Sequence, residues 1–203
     1  LVFTTIFLLV VFFLRSRVAI VSTIAVVFVS TVMSMGVLVL IGFDINPITM
    51  MAPAVIMVLA VLDSVHIMTQ YIINLREGAD KVTAMMSSLR KNASPVFWTS
   101  ATDAVGFLSM NFGDSPPFRD MGNMAAIGVM IAFVVTYTVL PGVALLFPDR
   151  IEARPLVLAT LMQKMTRFTL RIPALILWGV LLATGALAWS IPALNVNDDL
   201  ATY

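Results

Sequence analysis

Residues 57–74 read Met57-Val58-Leu59-Ala60-Val61-Leu62-Asp63-Ser64-Val65-His66-Ile67-Met68-Thr69-Gln70-Tyr71-Ile72-Ile73-Asn74. The run lies inside a long apolar segment, yet it carries an acid and the chain's single histidine. Asp63, His66, Gln70 and Asn74 follow one another at spacings of three, four and four residues. On a helix that spacing places all four on one face. A carboxylate within a membrane helix is costly, so such a face belongs against protein or a wet path rather than lipid. The pattern predicts a working face of the kind that couples membrane transport to protons or ions.

Composition sets the frame for that helix. Hydrophobic residues make up 60% of the 203 and charged residues 11%, and mean hydropathy is +1.01. A soluble domain carries about 25% charged residues. Several apolar runs approach or exceed the ~20 residues that cross a bilayer as a helix. The expected fold class is therefore an all-α membrane protein, a polytopic helical bundle. A net charge of +1 with no basic block gives no footprint for nucleic acid. The absence of cysteine removes disulfides, thiol chemistry and cysteine metal sites, and one histidine argues against a histidine metal site. No metal, organic cofactor or enzymatic centre is expected.

The chain opens inside an apolar run, Leu1 to Leu14, which reads as the end of a helix in a piece of a longer protein. Val18 to Ile41 is a clean span whose Ser22, Thr23, Ser30, Thr31 and Ser34 suit close helix contact. Asn46-Pro47 is a helix start, a capping side chain followed by proline. The third helix is expected from about Pro47 to Leu75, with Pro53 as a candidate kink. Residues 80–91 read as a short surface helix, and Pro95 then opens a span reaching about Phe112. Phe118 to Phe147 is the next span. Residues 150–171 form an amphipathic connector: Val157, Leu161, Met165 and Phe168 share one face, and Thr160, Lys164, Arg167 and Arg171 the other. Pro173 to Ile191 is the last span, with Trp178 and Trp189 near its ends. Eleven of the twelve Lys and Arg fall in alternate loops, and only Arg119 lies on the other side. The positive-inside rule makes the first set cytoplasmic.

Two acids lie within the spans, Asp63 and Asp103. Counted at 1.5 Å per residue, Asp63 is ~18 Å from Leu75, and Asp103 is ~12 Å from Pro95. The two helices are antiparallel neighbours, so the acids are expected at comparable depth and able to face one another. An acid so placed can take up and release a proton during a cycle. His66, one turn from Asp63, is a second proton-carrying candidate. Ser64, Thr99 and Thr102 are the candidate hydrogen-bond partners. Gln70 and Asn74 approach the cytoplasmic end and read as interfacial. The fourteen methionines read as packing, and Asp44, Asp114 and Asp120 as solvated external residues.

These segments together resemble the MMPL and predicted-exporter branch of the resistance-nodulation-division (RND) superfamily. Asp63-Ser64-Val65-His66 resembles part of its fourth transmembrane helix. Pro95-Val96-Phe97-Trp98-Thr99-Ser100-Ala101-Thr102-Asp103-Ala104-Val105-Gly106-Phe107-Leu108-Ser109 resembles its fifth. Pro116-Pro117-Phe118-Arg119-Asp120-Met121-Gly122, followed by Ala125-Ala126-Ile127-Gly128-Val129 and Leu140-Pro141, resembles its sixth. The resemblance implies a fragment covering transmembrane helices 2–7 of an RND transporter of about twelve helices. Residues 1–149 would be a sterol-sensing-domain-like bundle (helices 2–6), 150–171 a cytoplasmic connector, 172–192 helix 7 and 193–203 the start of an extracytoplasmic domain. It further implies proton-driven export of hydrophobic or amphiphilic, lipid-like molecules from a bacterial inner membrane, with Asp63 in the position of the relay acid. The implied partners are membrane lipids, a lipid or hydrophobic small-molecule substrate, and the second half of the same chain. The resemblance leaves oligomeric state open, a homo-oligomer among the alternatives, because the family includes trimers, dimers and monomers. Substrate choice would lie in the extracytoplasmic domains. The chain departs from the branch at Ala60, where a glycine is usual, and at Thr102-Asp103, where a Thr-Thr pair is usual.

Two other classes compete. A non-transporting sterol-sensing module would share the helices without needing a titrating acid. An intramembrane aspartyl protease would use Asp63 and Asp103 as a dyad. The contexts Val61-Leu62-Asp63 and Ala101-Thr102-Asp103 lack the Tyr-Asp and Gly-x-Gly-Asp settings of such enzymes.

Overall fold

A computed structural model describes residues 4–5, 16–147, 178–179, 181–182 and 184–186, and within 16–147 four helices follow one another. They are α1 (Arg17–Ile41), α2 (Ala52–Arg76), α3 (Lys81–Leu108) and α4 (Pro116–Leu146). The 3₁₀ turns Thr49–Met51 and Ser109–Phe112 precede α2 and follow α3. No strand occurs among the described residues. Among the described residues, three helical stretches are long and apolar enough to cross a membrane: Arg17–Ile41, Thr49–Arg76 and Pro116–Leu146. The all-α membrane fold expected from composition is present. The chain divides into two compact units, residues 1–156 and 157–203. In the second, the described residues are helical. The connector at 150–171 and the segment 193–203 lie outside the described residues, as do most of 1–14 and the ends of the last span.

The entry to α2 follows from Asn46. Its Oδ1 accepts from the amides of Ile48 and Thr49, each at 2.9 Å, while Thr49 Oγ1 accepts from the Asn46 amide at 2.8 Å. This reciprocal cap satisfies amides that a helix start leaves unpaired. Pro53 then falls in the first turn of α2, where its missing N–H costs nothing. Pro53 therefore stands at the start of α2, not at the expected interior position.

The larger departure is α3. The expected surface helix and the span opening at Pro95 are one helix, Lys81–Leu108, with Pro95 inside it. Contacts on the Lys81 side of the proline hold that arm against α2. Asn74 Nδ2 donates to Ala84 O at 3.0 Å, Ser88 Oγ donates to Ile67 O, and Lys91 Nζ donates to Gln70 Oε1 at 2.9 Å. Val96, Ser100 and Ala104 are buried on the far side of the proline. Tertiary contacts on both arms thus outweigh the local cost of an interior proline. The apolar part, Pro95–Leu108, rises only roughly 21 Å, less than the ~30 Å hydrocarbon core. The turn Ser109–Phe112 prolongs it.

Gln70 and Asn74 read from sequence as merely interfacial; the structure makes them a clasp. Gln70 Nε2 donates to Asn74 Oδ1 at 2.8 Å, so Lys91, Gln70, Asn74 and the Ala84 carbonyl form one chain of hydrogen bonds between α2 and α3. Asn74 is 9% exposed. Asn74→Leu removes two of these bonds and strands the Gln70 amide, so it should cost about 1–2 kcal/mol. That loss would be read as a lower unfolding midpoint in detergent. Lys91→Met, at the exposed end of the clasp, should cost less.

Asp80 starts α3, its Oδ2 accepting from the Thr83 amide at 3.1 Å. Hydrogen bonding from Thr83 holds this carboxyl below its ordinary value of 3.8. The folded value is the lower one, so the cap's contribution is full above 3.8 and is lost as pH falls through the folded value. Hydrogen exchange at the Thr83 amide should lose protection over that acid window, and Asp80→Ala should remove the pH dependence.

α2 and α4 each pack against the other three helices, while α1 and α3 each pack against α2 and α4. Small residues permit this. On α1, Ala19, Ser22, Thr23, Ser30 and Ser34 are buried; on α4, Gly122, Ala125, Ala126, Gly128 and Ala132 are. A Cβ at Gly128 would stand 2.2 Å from Ile56 Cδ1, and Ile56 is fully buried, so α2 and α4 touch there only because the side chain is absent.

Candidate functional site

Asp63 lies near the middle of α2 and is 8% exposed. It is flanked on its own helix by the fully buried Ala60, Ser64 and Ile67. Opposite, α3 turns Val96, Ser100 and Ala104 inward, a period-four stripe of small or β-branched residues. Ser100 is the polar member of that stripe, and its Oγ donates to Asp63 Oδ2 at 3.4 Å. That separation exceeds the usual hydroxyl–carboxyl range, so the bond is loose.

The structure separates the sequence candidates. Asp103 is half-buried and within electrostatic reach of Asp63. It is the polar member of an otherwise apolar pocket of about 410 Å³ between α2 and α3, lined also by Ala54, Val55, Val58, Leu59 and Phe107. Asp63 is enclosed, while Asp103, half-buried, lines this pocket. His66 is not with them: it is exposed, in line with exposed Val58 and Leu62 along α2. Three residues of spacing leave it about 60° round the helix from Asp63, enough to cross the edge of the buried face.

The three supporting hydroxyls also point elsewhere. Ser64 Oγ donates to Ala60 O at 2.7 Å and Thr99 Oγ1 to Val96 O at 2.9 Å. Thr102 Oγ1 is shared between the carbonyls of Trp98 and Thr99, at 2.8 and 2.9 Å. Each returns to its own helix, the usual recourse of a hydroxyl with no better acceptor. The hydroxyl that reaches Asp63 is Ser100, which the motif-based reading passed over. Its signal was the buried register of Val96 and Ala104, four residues to either side.

A second, wholly apolar groove of about 490 Å³ lies over α4, between Met33 of α1 and Ala104 and Leu108 of α3. Its floor includes Ile127, Met130 and Val134. Among the described residues no cluster of three or more His, Cys, Asp or Glu is arranged to hold a metal ion.

Residues 1–176 match the MMPL family. The chain belongs to the MMPL family. This MMPL chain is also similar to a membrane protein of Methanocaldococcus jannaschii, 29% identical over 93 residues, which is 46% of the chain and 24% of that relative. The chain thus spans about a quarter of the curated relative it matches. No solved structure matches it. Family, fold and three membrane-length helices together make the MMPL chain part of a multi-pass membrane protein.

Proposed function

We propose that the full-length protein exports hydrophobic or amphiphilic, lipid-like molecules from a bacterial inner membrane, driven by proton influx, with Asp63 carrying the proton. One observation carries this reading. An acid 8% exposed sits at mid-helix in a membrane-length segment, and the groups acting on it from α3 are a hydroxyl, Ser100, and a second acid, Asp103. An intramembrane acid is expensive to retain, and a structural ion pair would set a cation beside it. A carboxyl beside a hydroxyl and another carboxyl is arranged to hold a proton and pass it on. Asp103, half-buried in the lining of its pocket, is the outer station and Asp63, buried, the inner one. His66, on the exposed side of α2, is free to meet helices from the second half of the protein.

MMPL family membership supports a transporter of lipid-like substrates in place of an enzyme. The apolar groove over α4 favours a second reading, a lipid-responsive module of the sterol-sensing type that binds lipid without transporting it. Collapsing the proton gradient separates the two. In proteoliposomes of the full-length protein, export should stop when an ionophore dissipates the gradient. Lipid movement at an unchanged rate would sink the proton-driven reading.

A further inference from the structure

α4 brings a group to this site that neither α2 nor α3 supplies. Tyr137 is half-buried as a residue, but its hydroxyl oxygen is fully buried and has no hydrogen-bond partner among the described residues. A buried phenol normally finds an acceptor. The ring is held by an aromatic row: it lies 4.9 Å from Phe133, which lies 5.8 Å from Phe97 of α3. Phe97 is three residues before Ser100, about one turn from the donor that touches Asp63. α2 and α4 both run antiparallel to α3 and meet at Ile56 and Gly128, so Asp63, seven residues beyond Ile56, and Tyr137, nine beyond Gly128, lie within ~3 Å of the same level, and the Asp63 carboxylate is within electrostatic reach of the phenol.

Two unmet needs meet here. The Asp63 carboxyl accepts one long bond at 3.4 Å and has further acceptor capacity. The Tyr137 hydroxyl is a donor with nothing to donate to. We propose that Tyr137 is a positioning residue for the proton site: its hydroxyl donates to the Asp63 carboxylate in one state of the transport cycle, when α2 and α4 shift relative to one another. This rests on the reading of Asp63 as the proton carrier. The groups facing Asp63 are few. α3 brings Ser100 and Asp103, and α4 brings Tyr137. α1 has no titratable side chain beyond Arg17 at its start, and His66 on α2 itself is exposed.

The test uses the full-length protein in proteoliposomes, with protonation of Asp63 followed by infrared spectroscopy and its band assigned with Asp63→Asn. Tyr137→Phe keeps the ring and removes the donor. It should move the Asp63 titration midpoint by about one pH unit, and move the pH profile of transport with it. A midpoint unchanged from the parent protein overturns the proposal. Phe133→Leu loosens the same aromatic packing but leaves the hydroxyl. An equal shift in that variant would assign the effect to packing and overturn the proposal too. Asp63→Asn transporting normally would remove the proton-coupling reading alone; a shifted titration in Tyr137→Phe would still establish the hydrogen bond.

Discussion

Asp63→Asn in the full-length protein should bring transport to background while expression and membrane insertion stay at parental levels. The substitution keeps the volume of the side chain and an oxygen able to accept from Ser100 Oγ, so the contact between α2 and α3 survives. It also removes a costly group from a membrane helix, so insertion should be no harder. What is lost is the site where a proton can bind and leave. Proton-transfer groups contribute about 10²–10⁴-fold to the reactions they serve, and an obligatory carrier should lie at or beyond that range. Export of a labelled lipid, with membrane-fraction yield as the control, makes the measurement. Normal export by the variant would show that Asp63 is a packing residue.

Gly122→Ala should destabilise the bundle at the junction of α3 and α4, by about 1–3 kcal/mol. A Cβ at that position would stand 2.4 Å from the Phe107 carbonyl oxygen and 2.9 Å from Met110 Cβ. The first of these is backbone and cannot rotate away, so the end of α3 must move. That end also bears on the site, because Phe107 and Asp103 line the same pocket. The neighbourhood is otherwise firmly tied. Asn111 and Asn123 exchange amide hydrogen bonds at 2.8 and 3.1 Å, and Arg119 Nε donates to Gly113 O at 2.7 Å. Gly142→Ala, on the same helix with nothing within 4 Å of its new methyl, is the contrast. It should be neutral or stabilising by up to about 1 kcal/mol, because alanine loses less entropy in a helix. Thermal unfolding of both variants in detergent decides the matter: equal midpoints would show that the α3–α4 approach is not limiting.

The two predictions depend on information of different kinds. Asp63 stands out in a linear reading because a lone acid in an apolar run is chemically conspicuous wherever the run folds. The membrane class, the start at Asn46-Pro47 and the motifs around Asp63 and Pro116 were legible for the same reason: hydropathy, capping and proline chemistry act locally. Helical rise also implied that Asp63 and Asp103 would lie at comparable depth, since antiparallel neighbours of known rise can be aligned by counting.

What could not be read along the chain is everything set by which side of a helix faces a neighbour. Pro95 ends a helix by local rules, yet α3 runs through it because Ser88, Lys91 and Asn74 on one side and buried Val96 and Ser100 on the other hold both arms. His66 shares a nominal face with Asp63, but the edge of burial falls between them. Ser64, Thr99 and Thr102 are chemically equal to Ser100, and only rotation about α3 and α2 decides that Ser100 reaches the acid. Tyr137 is an ordinary aromatic residue in an apolar span until α4 packs on α2 and leaves its hydroxyl buried and unpaired. Composition and spacing determine that this chain is a membrane bundle with an acid at its centre. Helix packing alone decides which hydroxyls and which second acid surround that acid, because a hydrogen bond depends on distances of a few tenths of an ångström that no residue carries by itself.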